Sequence, residues 1–172
     1  MTLNGGFKVL SREGEHIPAI GLTITMKNSG KNTQDAYSLF EYSVPAGVNG
    51  PPTHTHTRED ESFVCLSGKM DVTLGGEDFT IGFGDYLYLP RNIPHAFRNP
   101  YDEESRVISV VSPAGLEAYY RRDFAGARKL FSEVFNDLPG DYIAQEFIGR
   151  CDQYLTKSPP ADWDGTEVMH EK

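Results

Sequence analysis

The chain has 172 residues, an apolar share of 38%, an aromatic share of 12% and a formal net charge of −9. Those shares exceed what a disordered chain carries, and the length suits one domain with room for a small terminal appendage. The negative charge disfavours nucleic acid and anionic membrane surfaces as partners, and no apolar run reaches the ~20 residues that span a bilayer.

In PAIGLTITM (18–26), Ile20, Leu22, Ile24 and Met26 alternate with Gly21, Thr23 and Thr25, which predicts one strand with one buried face. Residues 27–35, rich in Asn, Ser and Gly, read as a loop. YSLFEYSV (37–44) predicts a second strand with Phe40, Tyr42 and Val44 on one face, and PAGVNGPP (45–52) breaks regular structure. ESFVCLS (61–67) is apolar on both faces, the pattern of a strand between two layers. KMDVTL (69–74), the turn Gly75-Gly76 and EDFTI (77–81) predict a hairpin. YLYL (86–89), HAFR (95–98) and RVISVVS (106–112) complete an all-β pattern of short strands, a sandwich or barrel.

Beyond residue 115 the period changes. LEAYYRRDF (116–124) and ARKLFSEVFN (127–136) space their apolar residues helically, Leu130 and Phe131, then Val134 and Phe135. Asp141 is placed to cap a further helix carrying Ile143, Phe147, Ile148 and Cys151, which SPPADWDG (158–165) stops. Residues 166–172 are expected to fray.

Cys65 and Cys151 are too few and too far apart for a disulfide framework or a Cys-based zinc site. The N-terminal stretch MTLNGGFKVLSREGEH lacks the charged-then-apolar layout of a signal peptide, so both read as reduced thiols in a cytoplasmic protein. No GxxxxGK phosphate loop, GxSxG nucleophile elbow or arginine cluster points to nucleotide, esterase or phosphate chemistry.

The informative residues are the histidines, five in all. His54 and His56 in PPTHTHTREDESFVCLSG (51–68) are two apart, so in extended chain they share a face. Glu61 opens the following strand. In GDYLYLPRNIPHAFRN (84–99), a turn through Arg91, Asn92, Ile93 and Pro94 presents His95 at the start of another strand. Three imidazoles and a carboxylate on rigid strands form a plausible donor set for a divalent ion. His16 and His170 read as surface residues.

His54, His56, Glu61 and Gly68 spell H-x-H-x4-E-x6-G, and Gly84, Pro90, His95 and Asn99 spell G-x5-P-x4-H-x3-N. Together they resemble the two motifs of the cupin superfamily, and PPTHTHTREDESFVCLSG is similar to single-domain cupins of the quercetin-dioxygenase-like group. The resemblance covers roughly residues 16–115. It implies a cupin jelly-roll β-barrel (double-stranded β-helix) with short C-terminal helices. Residues 1–115 would be the barrel domain with its N-terminal strand. Residues 116–172 would be a helical extension, packed on the barrel or forming a dimer contact. It also implies that His54, His56, Glu61 and His95 bind one divalent ion (Fe, Mn, Ni, Co, Cu or Zn). The spacing of Glu61 to Gly68 favours it over Glu59 and Asp60, which read as solvated. Two departures are visible. Asn92 stands where the family usually has glycine, and asparagine is the non-glycine residue that best tolerates a left-handed turn. Gly47 precedes His54 by one residue more than the common pattern.

Three nitrogens and one oxygen suit a six-coordinate ion with two positions for water, substrate or dioxygen. Strand parity turns Phe63 and Cys65 to the face of Glu61 and Phe97 to that of His95, with Phe40 and Tyr42 joining them as substrate-lining residues; plain barrel core is the alternative for each. The resemblance implies a metal-dependent dioxygenase opening an oxygenated ring of a small aromatic or enolic substrate, with Glu61 as ligand and proton acceptor. The alternatives are a non-catalytic small-ligand-binding cupin, or an isomerase, decarboxylase or hydrolase on the same barrel. A homodimer is expected, since barrel-edge strands favour pairing.

Overall fold

In the computed structural model, residues 6–19, 21–137, 139–140 and 142–160 are described. The expectations for Ile20, Asp141, His170 and the segment 161–172 lie outside them. Nine strands come first: β1 (Glu15–Ala19), β2 (Leu22–Asn28), β3 (Ser38–Val44), β4 (Asp60–Ser67), β5 (Lys69–Leu74), β6 (Glu77–Gly82), β7 (Tyr86–Leu89), β8 (His95–Arg98) and β9 (Ser105–Ser112). A one-turn helix α1 (Gly30–Thr33) sits between β2 and β3, and α2 (Leu116–Tyr120), α3 (Phe124–Asp137) and α4 (Tyr142–Thr156) follow the strands.

All strand pairs are antiparallel, in a six-stranded sheet ordered β1-β2-β3-β9-β4-β7 and a three-stranded sheet ordered β6-β5-β8. The inward residues of both sheets meet in one core built from Phe40, Tyr42, Val44, Phe63, Met70, Val72, Phe97, Val107 and Val111, among others. This is the jelly-roll arrangement that the resemblance implies, and it fits the alternating pattern: with period 2, every second side chain leaves water for the space between the sheets. A second cluster, Tyr119, Phe124, Ala127, Cys151 and Tyr154, holds the C-terminal helices to one another.

Three local expectations are corrected. Residues 18–26 are two strands, β1 and β2, because Gly21 turns the chain at φ 75, a left-handed conformation that glycine adopts freely. The loop expected at 27–35 contains the helical turn α1. β4 lies fully buried on one face only: Glu61, Phe63 and Cys65 point inward, while Ser62, Val64 and Leu66 are half-buried on the outer face. There Leu66 borders an open groove of about 670 Å³ between the sheet and the segment carrying Phe7, Val9 and Leu10. That segment is pinned by charge. Glu41, 2% exposed, pairs with Lys27 at 2.8 Å and with Arg106, and Lys27 also donates to the carbonyls of Leu10 and Glu13. No helix of the described residues is long and apolar enough to cross a membrane.

Candidate metal centre

Main-chain pairing brings the two histidine-bearing segments together. His54 N–H donates to the His95 carbonyl (2.9 Å) and His95 N–H to the His54 carbonyl (2.8 Å), an isolated antiparallel bridge. One residue pair along, Asn92 N–H donates to the His56 carbonyl at 2.7 Å. Asn92 takes φ 65, the left-handed conformation expected of it, and the turn it makes delivers His95. Arg91 fastens the same turn to β4, donating its backbone N–H (2.9 Å) and guanidinium Nη2 (2.7 Å) to Asp60. Those contacts push the Asp60 carboxyl down to about 2.

The three rings then face one another, with centroids 4.5 Å apart for His54 and His95, 5.0 Å for His54 and His56 and 5.2 Å for His56 and His95. One nitrogen from each lies within 4.8 Å of the others, the scale of a shared ion with imidazole bonds of about 2.1 Å. The far nitrogens of two rings are engaged: His54 Nδ1 donates to the Pro52 carbonyl (3.0 Å) and His95 Nδ1 to the Ile93 carbonyl (3.1 Å). A carbonyl only accepts, so the proton sits on Nδ1 and each Nε2 keeps its lone pair. His95 Nε2 is buried and has no hydrogen-bond partner among the described residues. A buried polar atom without a partner is costly, and a metal ion is the partner its lone pair fits.

Glu61 supplies the charge. It is 4% exposed, and its Oε2 lies 3.5 Å from His95 Nε2 and 3.6 Å from His56 Nε2. Oε1 accepts from Ser109 Oγ (2.6 Å) and Tyr42 Oη (3.2 Å). Burial works against its ionisation, yet His56 foremost, with the Ser109 hydroxyl, overcomes it and holds the carboxyl well below the ordinary range. Burial, together with the other two imidazoles, lowers His54 to about 4, so it is neutral at pH 7. At His56 burial is outweighed by Glu61, and the pKa is raised. Three nitrogens thus converge on one point, with the ionised Glu61 Oε2 beside two of them, a donor set that fits a divalent ion.

The residues expected to line the pocket divide into two groups. Tyr42, Phe63, Phe97 and Phe40 pack ring against ring beside Glu61. Tyr42 stacks on Phe97 at 5.9 Å, Phe63 meets Phe97 edge-on at 5.7 Å, and Phe40 lies 6.2 Å from Tyr42. Cys65 is four residues along β4 from Glu61, ~13 Å at 3.3 Å per residue, and its thiol donates to the carbonyls of Ser67 and Gly68. Glu59, expected in solvent, is 6% exposed, and burial raises its carboxyl. The reason is its neighbour: Arg58 donates to the Ala114 carbonyl at 2.8 Å, which draws this bend against the barrel's exit. The motif residue Asn99 is fully buried and clips loops, donating to the carbonyls of Val44 (2.9 Å) and Glu103 (2.8 Å). Sequence reasoning did not single out Ser109. The available signal was a hydroxyl set between Val107 and Val111 on the inner face of β9.

Residues 40–111 match the cupin domain family. The chain is 34% identical over 90 residues to quercetin 2,3-dioxygenase of Bacillus subtilis (strain 168), a match covering 51% of this chain and 26% of that protein. It is 35% identical over 60 residues to polyketide synthase CurC of Streptomyces cyaneus, covering 35% of this chain and 39% of that one. The chain thus spans between a quarter and two fifths of the length of these relatives. Among solved structures, a predicted oxalate decarboxylase from Thermotoga maritima superposes with a TM-score of 0.57 at 20% identity, over 62% of this chain and 99% of that chain. KdgF from Halomonas sp. does so with a TM-score of 0.55 at 21% identity, over 63% and 94%. At such identities the likeness is one of fold. The family match runs from β3 to β9 and carries His54, His56, Glu61 and His95, so residues 40–111 form a cupin domain.

Proposed function

We infer that the protein is a divalent-metal cupin and a metal-dependent dioxygenase acting on a small aromatic or enolic substrate. The observation that carries the metal reading is the unpartnered, buried His95 Nε2 facing two further imidazoles and the ionised Glu61. The oxygenase reading is supported by the similarity to the Bacillus subtilis dioxygenase. His54, His56, His95 and Glu61 hold the ion, which supplies a Lewis acid that makes a coordinating hydroxyl more acidic. Glu61 is the group placed to take that proton once its Oε2 swings off the ion. Tyr42, Phe63, Phe97 and Phe40, packed in the barrel core beside Glu61, would be the apolar floor against which a flat organic anion is held. Cys65 joins them only at the far end of the barrel.

Residues 1–115 act as the barrel unit, and residues 116–172 as an extension that packs on it or serves a homodimer. The two buried free thiols suit a reducing compartment, the cytoplasm. The test is to reconstitute the metal-free protein separately with each of the six ions and follow oxygen uptake with flavonols and related enols. Turnover with at least one ion is expected. Full metal occupancy without oxygen consumption for any substrate would refute the oxygenase assignment and leave a ligand-binding or oxygen-independent cupin.

A further inference from the structure

We propose that Ser109 and Tyr42 are positioning residues that pin one oxygen of Glu61, so that this carboxylate serves the metal centre through Oε2 alone. The proposal rests on the metal reading above and goes beyond it by assigning how the anionic ligand is held.

Ser109 is out of place on chemical grounds. It lies in the middle of β9, fully buried, between Val107 and Val111 on the inner face. A hydroxyl taken out of water without a partner is costly, so a serine buried between two valines needs a reason. Its reason is 2.6 Å away, at Glu61 Oε1. The same oxygen accepts from Tyr42 Oη at 3.2 Å. The other oxygen, Oε2, receives neither hydroxyl and faces the Nε2 atoms of His56 and His95. Among the described residues, two hydroxyls lie on one oxygen and two imidazoles toward the other.

The strand order makes this possible. β9 lies between β3 and β4, with Ser109 opposite Phe40 on one side and Phe63 on the other. Glu61 is therefore Ser109's diagonal neighbour on β4, and Tyr42 is its diagonal neighbour on β3, the reach over which inward side chains on adjacent strands meet. Tyr42 cannot easily turn away, because its ring is stacked on Phe97 and flanked by Phe63 at 6.1 Å. The aromatic cluster thus does more than fill the barrel: it aims a hydroxyl. A carboxylate with one oxygen held by two donors is fixed in rotation about its Cγ–Cδ bond and offers the ion a single oxygen. Such outer contacts typically change metal affinity 10–100-fold.

The experiment uses the full chain, stripped of metal, and Co(II) as probe. Affinity is measured by titration and the coordination sphere by the visible absorption of bound Co(II), for wild type, Ser109→Ala, Tyr42→Phe and the double variant. Metal-free thermal unfolding serves as the control for folding. The expected result is affinity weakened about 10-fold or more in each single variant, up to about 100-fold in the double. The Co(II) spectrum should change as Glu61 is freed, with metal-free unfolding still cooperative. Unchanged affinity and an unchanged spectrum in both single variants would overturn the proposal. So would affinity loss that merely follows a collapse of the metal-free fold in both. Wild-type protein that binds no Co(II), behaving as His95→Ala does, would instead strike the metal reading itself, and this proposal with it.

Discussion

Substituting His54 by Gln tests the electrostatics of the site without any knowledge of substrate. Burial and two neighbouring imidazoles lower His54 from its ordinary 6.5 to about 4. The folded protein therefore resists protonating this ring while the unfolded chain accepts the proton, and each pKa unit of difference is worth about 1.4 kcal/mol. The sign follows directly. Stability from a neutral His54 is fully present above pH ~6.5 and is lost as pH falls toward 4, amounting to about 3 kcal/mol. At 172 residues that corresponds to about 6–12 °C in melting temperature. His56, whose pKa is raised, works in the opposite direction, but it is present in both proteins and largely cancels in the comparison. The assay is urea unfolding of metal-free wild type and His54→Gln at several pH values from 7 to 4. Wild type should lose about 3 kcal/mol more than the variant across that window. Parallel pH profiles would refute the claim that a packed, neutral imidazole cluster exists in the absence of metal.

Divalent metal at about 100 times its dissociation constant should stabilise wild type by about 2.7 kcal/mol, read as a rise of about 5–10 °C in a thermal scan, and His95→Ala should abolish the rise. Glu41→Gln removes the charge shared by Lys27 and Arg106 beneath the N-terminal segment and should cost about 3–5 kcal/mol in denaturant unfolding; a change below 1 kcal/mol would show the network to be screened. Gly68→Ala places a Cβ 2.5 Å from the Glu104 carbonyl oxygen at φ 69, and a loss of about 2 kcal/mol or more is expected by the same measurement. Asn99→Ala leaves the buried carbonyl of Val44 and the part-buried one of Glu103 without their donor, for a loss of about 1–3 kcal/mol.

The meeting of the three histidines was legible because it depends on local rules. His54 and His56 share a face by strand parity, and Asn92 marks the turn that returns His95. The strands from β3 onward were readable for the same reason: alternation records which side of a sheet faces the core. What escaped were properties of register. Ser109 meets Glu61 only because β9 inserts between β3 and β4, and nothing near residue 109 in the chain reports that neighbour. Glu59 appeared solvated because its run is acidic, yet Arg58 reaches the Ala114 carbonyl and draws the bend inward. The β1–β2 hairpin was hidden because the apolar alternation continues evenly across Gly21.

The paired segments at His54 and His95 hold each other by main-chain amides and carbonyls alone. Any amino acid except proline at these two positions preserves both links, so the cradle is indifferent to what it carries. An ancestor could exchange one imidazole for a carboxylate or an amide and alter which cation is captured, or capture none, while the surrounding framework stayed folded. Selection acting on such a barrel is free to retune reactivity one side chain at a time.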